Sequence, residues 1–446
     1  MKRRDFINKT GLTLAGGAIF APGIAGSIRS ISKNDKVNIG VIGCKGMGWS
    51  NVHSLLKMQD VDLVGICDVD QNVITSRLAD YAKLRTNKPK TYGDYRELLA
   101  NKDIDAVVIG TPDHWHCKMM VDAVKAGKHV YVEKPVANSI EECNIMVAAQ
   151  EKTGKIVQAG QWQRSGPHYR KAIEMVRSGV LGKIRLVKVW AYQGWMKPVI
   201  VVPDSPPPKG VDYDSWLGPA PKRPFNENRF HFNFRWFWDY AGGLMTDWGV
   251  HEIDIALYAM EATAPVSVTA SGGKLAYPDD ASETPDTLQA MYQYEKFNML
   301  WEHATGIDIG PYNRREGIAF IGNNGTLVVD RAGYEVYPER EADGYSKWGK
   351  PKMEPVEAFV KPDELNYLDL HTVNFVEAIR KNDQSHLNTP IKSGSVAAIN
   401  AQMGNISYRT GSKVVWDAAK GKFKDNPAAD KMISPVYHNG YKIPTV

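Results

Sequence analysis

The sequence has 446 residues, 43% hydrophobic and 24% charged, the make-up of a globular chain long enough for two or three domains. Its net charge is +5, and Lys2, Arg3, Arg4 and Lys9 against Asp5 supply three of those charges, so the rest is near neutral. No basic stripe of the kind that binds phosphates is present, which argues against a nucleic-acid partner. Cys44, Cys67, Cys117 and Cys143 show no C-x-x-C spacing, so they read as buried small residues and not as a disulfide framework or zinc site.

The chain opens with MKRRDFINKTGLTLAGGAIFAPGIAGS. Arg3-Arg4-Asp5-Phe6-Ile7, an apolar run from Gly11 to Phe20 and small residues at Gly23, Ala25 and Gly26 predict a twin-arginine export signal within a leader over 1–35. Gly16, Gly17, Pro22 and Gly23 interrupt the run, which falls short of the ~20 apolar residues a membrane span needs. No later stretch is long and apolar enough to cross a membrane. The expected location is therefore periplasmic, or otherwise exported.

Residues 36–160 alternate strand and helix patterns. Lys36 to Gly43 is an apolar run ending in glycine, Gly48 to Met58 can be a helix, and Val61 to Asp68 is a strand ending in an acid. Further strand runs are Ala106 to Gly110, His129 to Val132 and Lys155 to Ala159. Such alternation predicts an α/β, doubly wound parallel sheet of the Rossmann type, with ligands at the carboxyl ends of the strands. Residues 161–446 read as an α+β domain for substrate binding and oligomerisation. Runs at 183–192, 266–272, 287–294, 297–301, 318–321 and 326–330 predict an open, mostly antiparallel sheet, with helices at 368–380 and 393–410. The proline- and aromatic-rich segment 197–235 has no periodicity and is expected to be a loop rimming the site. Twelve Trp and twenty Tyr, many of them between Trp190 and Trp248, suit stacking on sugar rings.

Gly43-Cys44-Lys45-Gly46-Met47-Gly48 keeps the outer glycines of G-x-G-x-x-G but places Lys45 at the middle position and shifts glycine to Gly46. Outer glycines allow the tight turn and close helix packing, and the following helix N-terminus offers N–H groups to a pyrophosphate. Asp68 ends the next strand, where a carboxylate can accept the ribose hydroxyls. With Asp70 beside it, it would repel a 2′-phosphate, which favours NAD over NADP. In Glu133-Lys134-Pro135 a lysine stands at a strand end between an acid and a rigid proline.

Gly43 to Gly48, Thr111-Pro112-Asp113-His114-Trp115-His116, Ala126-Gly127-Lys128-His129-Val130, Glu133-Lys134-Pro135 and Gly243-Leu244-Met245-Thr246-Asp247-Trp248-Gly249-Val250-His251 occur in this order. Together they resemble the family of glucose-fructose oxidoreductase, inositol dehydrogenase and the rhizopine-catabolism protein MocA, from about Val37 to Trp416. The resemblance implies a secondary-alcohol oxidoreductase in which His251 acts as base, Asp247 orients the substrate hydroxyl or the imidazole, and Lys134 stabilises the oxyanion. If the stretch is helical, Asp247 and His251 share a face. Gly43, Lys45, Gly46, Met47, Gly48, Asp68, Thr111, Pro112, His116, Glu133, Lys134 and Gln161 are the expected cofactor contacts. Trp162, Arg164, Tyr169, Trp195, Asp247 and His251 are the expected substrate contacts, with His168 a weaker candidate. Neither Asp247 with His251 nor His114 with His116 has a convincing third metal ligand, and no metal is expected.

The expected activity is oxidation of a sugar or glycoside hydroxyl with a tightly held, recycled cofactor, as in a redox-neutral cycle or the formation of a 3-keto glycoside. The alternative is an NAD-dependent glycoside hydrolase working by oxidation, elimination and reduction. Relatives of that kind tend to lose Glu-Lys-Pro, which this chain keeps. A homodimer or homotetramer is expected from an open sheet with one uncovered face.

Overall fold

The computed structural model describes residues 36–345 and 347–446; the expected export signal and leader lie outside the described residues. Strands β1 (Val37–Ile42), β2 (Val61–Cys67), β3 (Lys90–Tyr92), β4 (Ala106–Ile109), β5 (His129–Val132) and β6 (Val157–Ala159) pair in the order β3-β2-β1-β4-β5-β6, all parallel. Apart from the exposed edge strand β3, their residues are mostly apolar on both faces because helices cover both: α1 (Met47–Leu55), α2 (Gln71–Tyr81), α3 (Tyr95–Ala100), α4 (Asp113–Lys125) and α5 (Ile140–Thr153). The order reverses between β1 and β4, which opens a crevice at their carboxyl ends. Strand β3 and helix α3 were not legible as elements, since three and six residues are too few to show a period.

After α6 (Pro167–Ser178) comes a ten-stranded sheet that includes β7 (Leu186–Gln193), β8 (Ser267–Gly273), β9 (Thr287–Gln293), β10 (Asn298–Thr305), β11 (Glu316–Ile321), β12 (Gly325–Asp330) and β13 (Gly333–Pro338). It is mixed and mostly antiparallel, with β7 and β10 paired in parallel at its centre. The expected loop at 197–235 is corrected in part. It holds a short helix, α7 (Tyr213–Leu217), and 3-10 turns at Glu227–Arg229 and His231–Trp236. Tyr213, Trp216, Phe225, Phe230, Phe234 and Phe237 bury one another in a separate small core, so most of its aromatics are structural. An irregular backbone can bury rings without any period, which is why the pattern was silent.

Helices α8 (Gly243–Asp247) and α9 (Gly249–Met260) follow the insertion. Helix α10 (Tyr367–Lys381) returns to the first sheet, where Ser54 Oγ donates to Asp369 Oδ1 (2.6 Å) and Phe375 and Val376 join the cluster of Val52 and Leu55. Helix α11 (Ile391–Thr410) packs on α5 and α9. All four cysteines are buried and free.

Candidate active site

A cavity of about 420 Å³ occupies the crevice at the carboxyl ends of β1, β2, β4 and β5. Its first wall is the glycine turn. Gly43 has φ +79° and Gly46 has φ +52°, conformations that side chains with a Cβ rarely adopt. A Cβ on Gly48 would stand 1.9 Å from Gly43 O, and one on Gly110 2.5 Å from Gly48 Cα. Turn, helix and strand end therefore meet backbone to backbone, and the first N–H groups of α1 are carried to the cavity edge. The shift of glycine from 45 to 46 is accommodated because Gly46 takes the positive φ. Gly43, Lys45, Gly46 and Met47 line the cavity, and Gly48 packs beneath them.

Asp68 lines the same cavity and pins the turn, its Oδ2 accepting Cys44 N–H (2.8 Å) and its Oδ1 accepting Asp70 N–H (3.0 Å). Each carboxylate oxygen keeps a further lone pair for a ribose hydroxyl. Burial pushes the Asp68 carboxyl up, against the lowering effect of these bonds. The cradle, the helix N-terminus and the strand-end acid together fit a dinucleotide.

Glu133 and Lys134, just past β5, form another part of the cavity wall. Lys134 Nζ donates to Asp247 Oδ1 (2.7 Å) and to Asp247 O (2.8 Å), and Arg235 Nε donates to the same Oδ1 (3.1 Å). Burial alone would raise the Asp247 carboxyl, but the Lys134 and Arg235 cations outweigh it and hold it at about 2. Glu133 Oε1 accepts from Asn51 Nδ2 (2.6 Å), and burial raises its carboxyl. Asp113, buried at the start of α4, is pushed up to about 8 by burial against the pull of Arg235 and Lys134. The site thus holds one carboxylate firmly ionised and another that keeps its proton near neutrality, a division of roles set by environment.

His251 is buried, and burial followed by the charges of Lys134 and Arg331 pushes its imidazole well below the ordinary value. It is a neutral base, and its Nδ1 has no partner. The expected single helix face is corrected. Asp247 ends α8 and His251 sits in the first turn of α9, with the chain bent at Trp248. The Asp247 carboxylate turns to Lys134 and Arg235, while the His251 ring faces Trp162 and Trp248, 5.9 and 6.1 Å between centroids.

Thr111, Pro112, Glu133, Lys134 and Asp247 line the cavity as expected contacts. Others are placed elsewhere. His116 braces the loops from below, with Nδ1 2.7 Å from Pro135 O and Nε2 2.8 Å from Thr111 O. Gln161 is buried behind the wall with both side-chain polar atoms unpartnered. Arg164 is committed to Asp254 through two 2.7 Å bonds in the interior, so its guanidinium has no free edge for substrate. Tyr169 is fully buried, its hydroxyl accepting from Gln163 Nε2 (2.8 Å), and His168 is bound to Asp330 O and Tyr367. Trp162 packs between His251 and Arg331. Trp195 stands at a second cavity.

Sequence reasoning missed Asp113, Arg235, His231 and Phe232. Asp113 was inside a quoted motif; the other three come from the insertion, where no spacing marks them. His231 Nε2 meets Asp70 Oδ2 (3.1 Å), and Asp212 N–H donates to Val69 O (2.9 Å), which stitches the insertion to the β2–α2 loop and closes the cavity's side.

A family model described as the oxidoreductase family, NAD-binding Rossmann fold, matches residues 37–161, and its companion, the oxidoreductase family C-terminal alpha/beta domain, matches 168–328. The chain belongs to the Gfo/Idh/MocA oxidoreductase family. Its first sheet is accordingly an NAD-binding Rossmann domain, in agreement with the glycine cradle and Asp68. A relative named glycosyl hydrolase family 109 protein, from Shewanella sp. (strain W3-18-1), is 38% identical over 156 residues. That match spans only 34% of this chain and 34% of the relative. The fold is similar to that of the WlbA dehydrogenase from Bordetella pertussis in complex with NADH and UDP-GlcNAcA, at TM-score 0.61 and 18% identity, covering 86% of this chain and 99% of that one. It is also similar to aldose-aldose oxidoreductase from Caulobacter crescentus, at TM-score 0.62 and 19% identity over 85% and 100%. No helix among the described residues of this Gfo/Idh/MocA oxidoreductase is long and apolar enough to cross a membrane.

Proposed function

We propose that this oxidoreductase is exported and oxidises a secondary hydroxyl of a sugar or glycoside, with NAD held tightly and recycled within the catalytic cycle. The observation that carries the reading is the Lys134–Asp247 ion pair at 2.7 Å, lining the same cavity as the glycine turn, with the buried neutral His251 near enough to feel the Lys134 charge. His251 accepts the hydroxyl proton. The Lys134 ammonium, oriented by Asp247, stabilises the oxygen as it gains alkoxide character. Arg235 keeps Asp247 ionised, its guanidinium lying over the rings of Phe232 and Phe234. When bound, NAD supplies the acceptor for the hydrogen removed from carbon, and a second carbohydrate bearing a carbonyl takes that hydrogen back. The Arg3-Arg4 motif supports export of the folded, loaded protein. Exposed Leu186 and Met291 on the second sheet support a homodimer or homotetramer.

A second reading, an NAD-dependent glycoside hydrolase, is supported by the identity to the family 109 relative. Oxidation would acidify a neighbouring C–H, the glycosidic bond would leave by elimination, and water and the same hydrogen would then return.

Acid denaturation of the mature protein tests the resident cofactor. Released nucleotide is expected, and an empty protein overturns the recycling cycle. A panel of p-nitrophenyl glycosides without added NAD separates the two readings: a keto sugar without p-nitrophenol supports the oxidoreductase, and p-nitrophenol release supports the hydrolase. Export is tested by replacing Arg3 and Arg4 with lysine. The variant should accumulate in the cytoplasmic fraction, and undiminished export would reject the twin-arginine route.

A further inference from the structure

A second cavity of about 450 Å³ adjoins the first, with Phe232 on the boundary of both. It is built from the start of the insertion, the ends of β7 and β10, and the loop before β9. Its walls are tied down internally: Asp280 accepts from Val199 N–H (3.0 Å) and Ser282 Oγ (2.6 Å) and pairs with Lys274, and Tyr277 Oη donates to Met196 O (3.2 Å). Asp286 accepts the N–H groups of Leu275, Ala276 and Tyr277. Both acids are therefore satisfied by the protein; Lys274 balances Asp280 and Lys197 balances Glu227, which leaves the negative charge of Asp286 and disfavours an anionic sugar.

Two polar groups beneath it are not satisfied, and of these Thr305 lines the cavity. Gln193 and Thr305 face each other across the β7–β10 ladder, where opposite residues share a sheet face. Gln193 is fully buried and Thr305 is 9% exposed, and neither Gln193 Nε2 nor Thr305 Oγ1 has a partner. A buried donor and hydroxyl without partners are costly unless something fills the space beside them. Above them stands Trp195, 47% exposed, with its Nε1 donating to Gln193 Oε1 (2.5 Å), and Phe232, 51% exposed, meets it edge to face. A flat ring surface beside an unpartnered hydroxyl, in a cavity whose charged lining leaves one negative charge, is complementary to a neutral pyranose ring, which has an apolar face and hydroxyls around its edge.

We infer that this cavity is a second glycosyl subsite, so that the substrate is a neutral disaccharide unit or longer glycan whose next ring lies on Trp195 and bonds to Thr305. The inference rests on the proposed function for the ring at Lys134 and Asp247. Leu244 places it there, since it lines the second cavity and lies on α8, which ends at Asp247. A glycan that entered would thus bridge from the second cavity across Phe232 to the reacting site.

The test uses the mature protein with its nucleotide, offered cellobiose, maltose and N,N′-diacetylchitobiose beside glucose and N-acetylglucosamine. The rise at 340 nm gives a second-order rate constant for each sugar, and calorimetry gives its binding independently of turnover. At least one disaccharide should react about tenfold faster than its own monosaccharide. In Trp195→Ala and Thr305→Val that ratio should fall to about one, and disaccharide binding should weaken about tenfold. Thr305→Val removes an unpartnered hydroxyl, so its melting temperature should not fall; a structural role would lower it. Disaccharide binding that depends on Trp195 and Thr305 without any rise at 340 nm sinks the oxidoreductase reading and leaves the subsite standing. A rise at 340 nm with equal rates for one and two rings, unmoved by either variant, overturns the subsite and leaves the oxidoreductase. A protein that neither binds nor oxidises any of these sugars overturns both.

Discussion

Replacing Lys134 by Met removes the cation that acts more strongly of the two holding the Asp247 carboxylate, and both residues of the pair are almost completely shielded, at 11% and 12% side-chain exposure. The Asp247 carboxyl sits at about 2 in the folded protein. The ordinary value is near 3.9, so the gap of about two pH units is worth roughly 2.5 kcal/mol, of which Lys134 supplies the greater part. In the variant Asp247 keeps only Arg235 at 3.1 Å, and a buried charge that loses a partner is costly. We expect a stability loss of about 2 kcal/mol at pH 7 by urea unfolding. Asp247 is an acid with a depressed folded value, so its stabilisation is full above about pH 4 and is lost as pH falls towards 2. The gap between wild type and variant should therefore close over that window. Turnover should fall by at least ~100-fold, as when an oxyanion donor is removed. A Lys134→Met protein as stable as wild type at pH 7, or one that turns over within tenfold of it, would refute the reasoning.

Gly48→Ala places a methyl 1.9 Å from Gly43 O, so the turn must open, and the purified protein should release no nucleotide on acid denaturation; retention at wild-type levels would contradict the cradle. His251 is kept neutral by burial and by the charges of Lys134 and Arg331, so its acid limb in kcat/KM should lie well below the ordinary histidine value of about 6.5, and a limb at 6.5 to 7 would remove it as the base. The same group makes the folded state harder to protonate than the unfolded one, so its contribution to stability is complete above about pH 6.5 and declines as pH falls. Arg164→Met strands Asp254 in the interior and should cost about 3–5 kcal/mol, whereas Arg164→Met with Asp254→Leu should recover most of it. If Arg164→Met instead raised KM for sugar at unchanged stability, the arginine would belong to the substrate after all.

The parts of the site that were legible are those whose geometry is local to a few residues. The glycine turn could be read because positive φ and close backbone approach exclude side chains, even with the middle glycine displaced to Gly46. Asp68 and Lys134 could be read because Asp68 directly follows β2 and Lys134 lies two residues past β5, and strand ends in a parallel sheet point to the ligand crevice. His116, Arg164 and Tyr169 shared that neighbourhood in sequence but not in space. Their polar atoms are consumed by Thr111 and Pro135, by Asp254 and by Gln163. Spacing identifies where a residue emerges from an element, not which partner its side chain finds.

The sequence by itself determined the doubly wound sheet and the nucleotide turn, because strand periodicity and glycine sterics act over a few bonds, and its resemblance to the family singled out Lys134, Asp247 and His251 as candidates for the chemistry. Only the tertiary structure decided how those side chains are charged. Lys134 meets Asp247 across 113 positions of chain, and Arg235 reaches the same carboxylate from an insertion that carries no pattern. Burial then lifts Asp113 and lowers His251. Charge interactions depend on distance and desolvation in space, and neither is a function of separation along the chain.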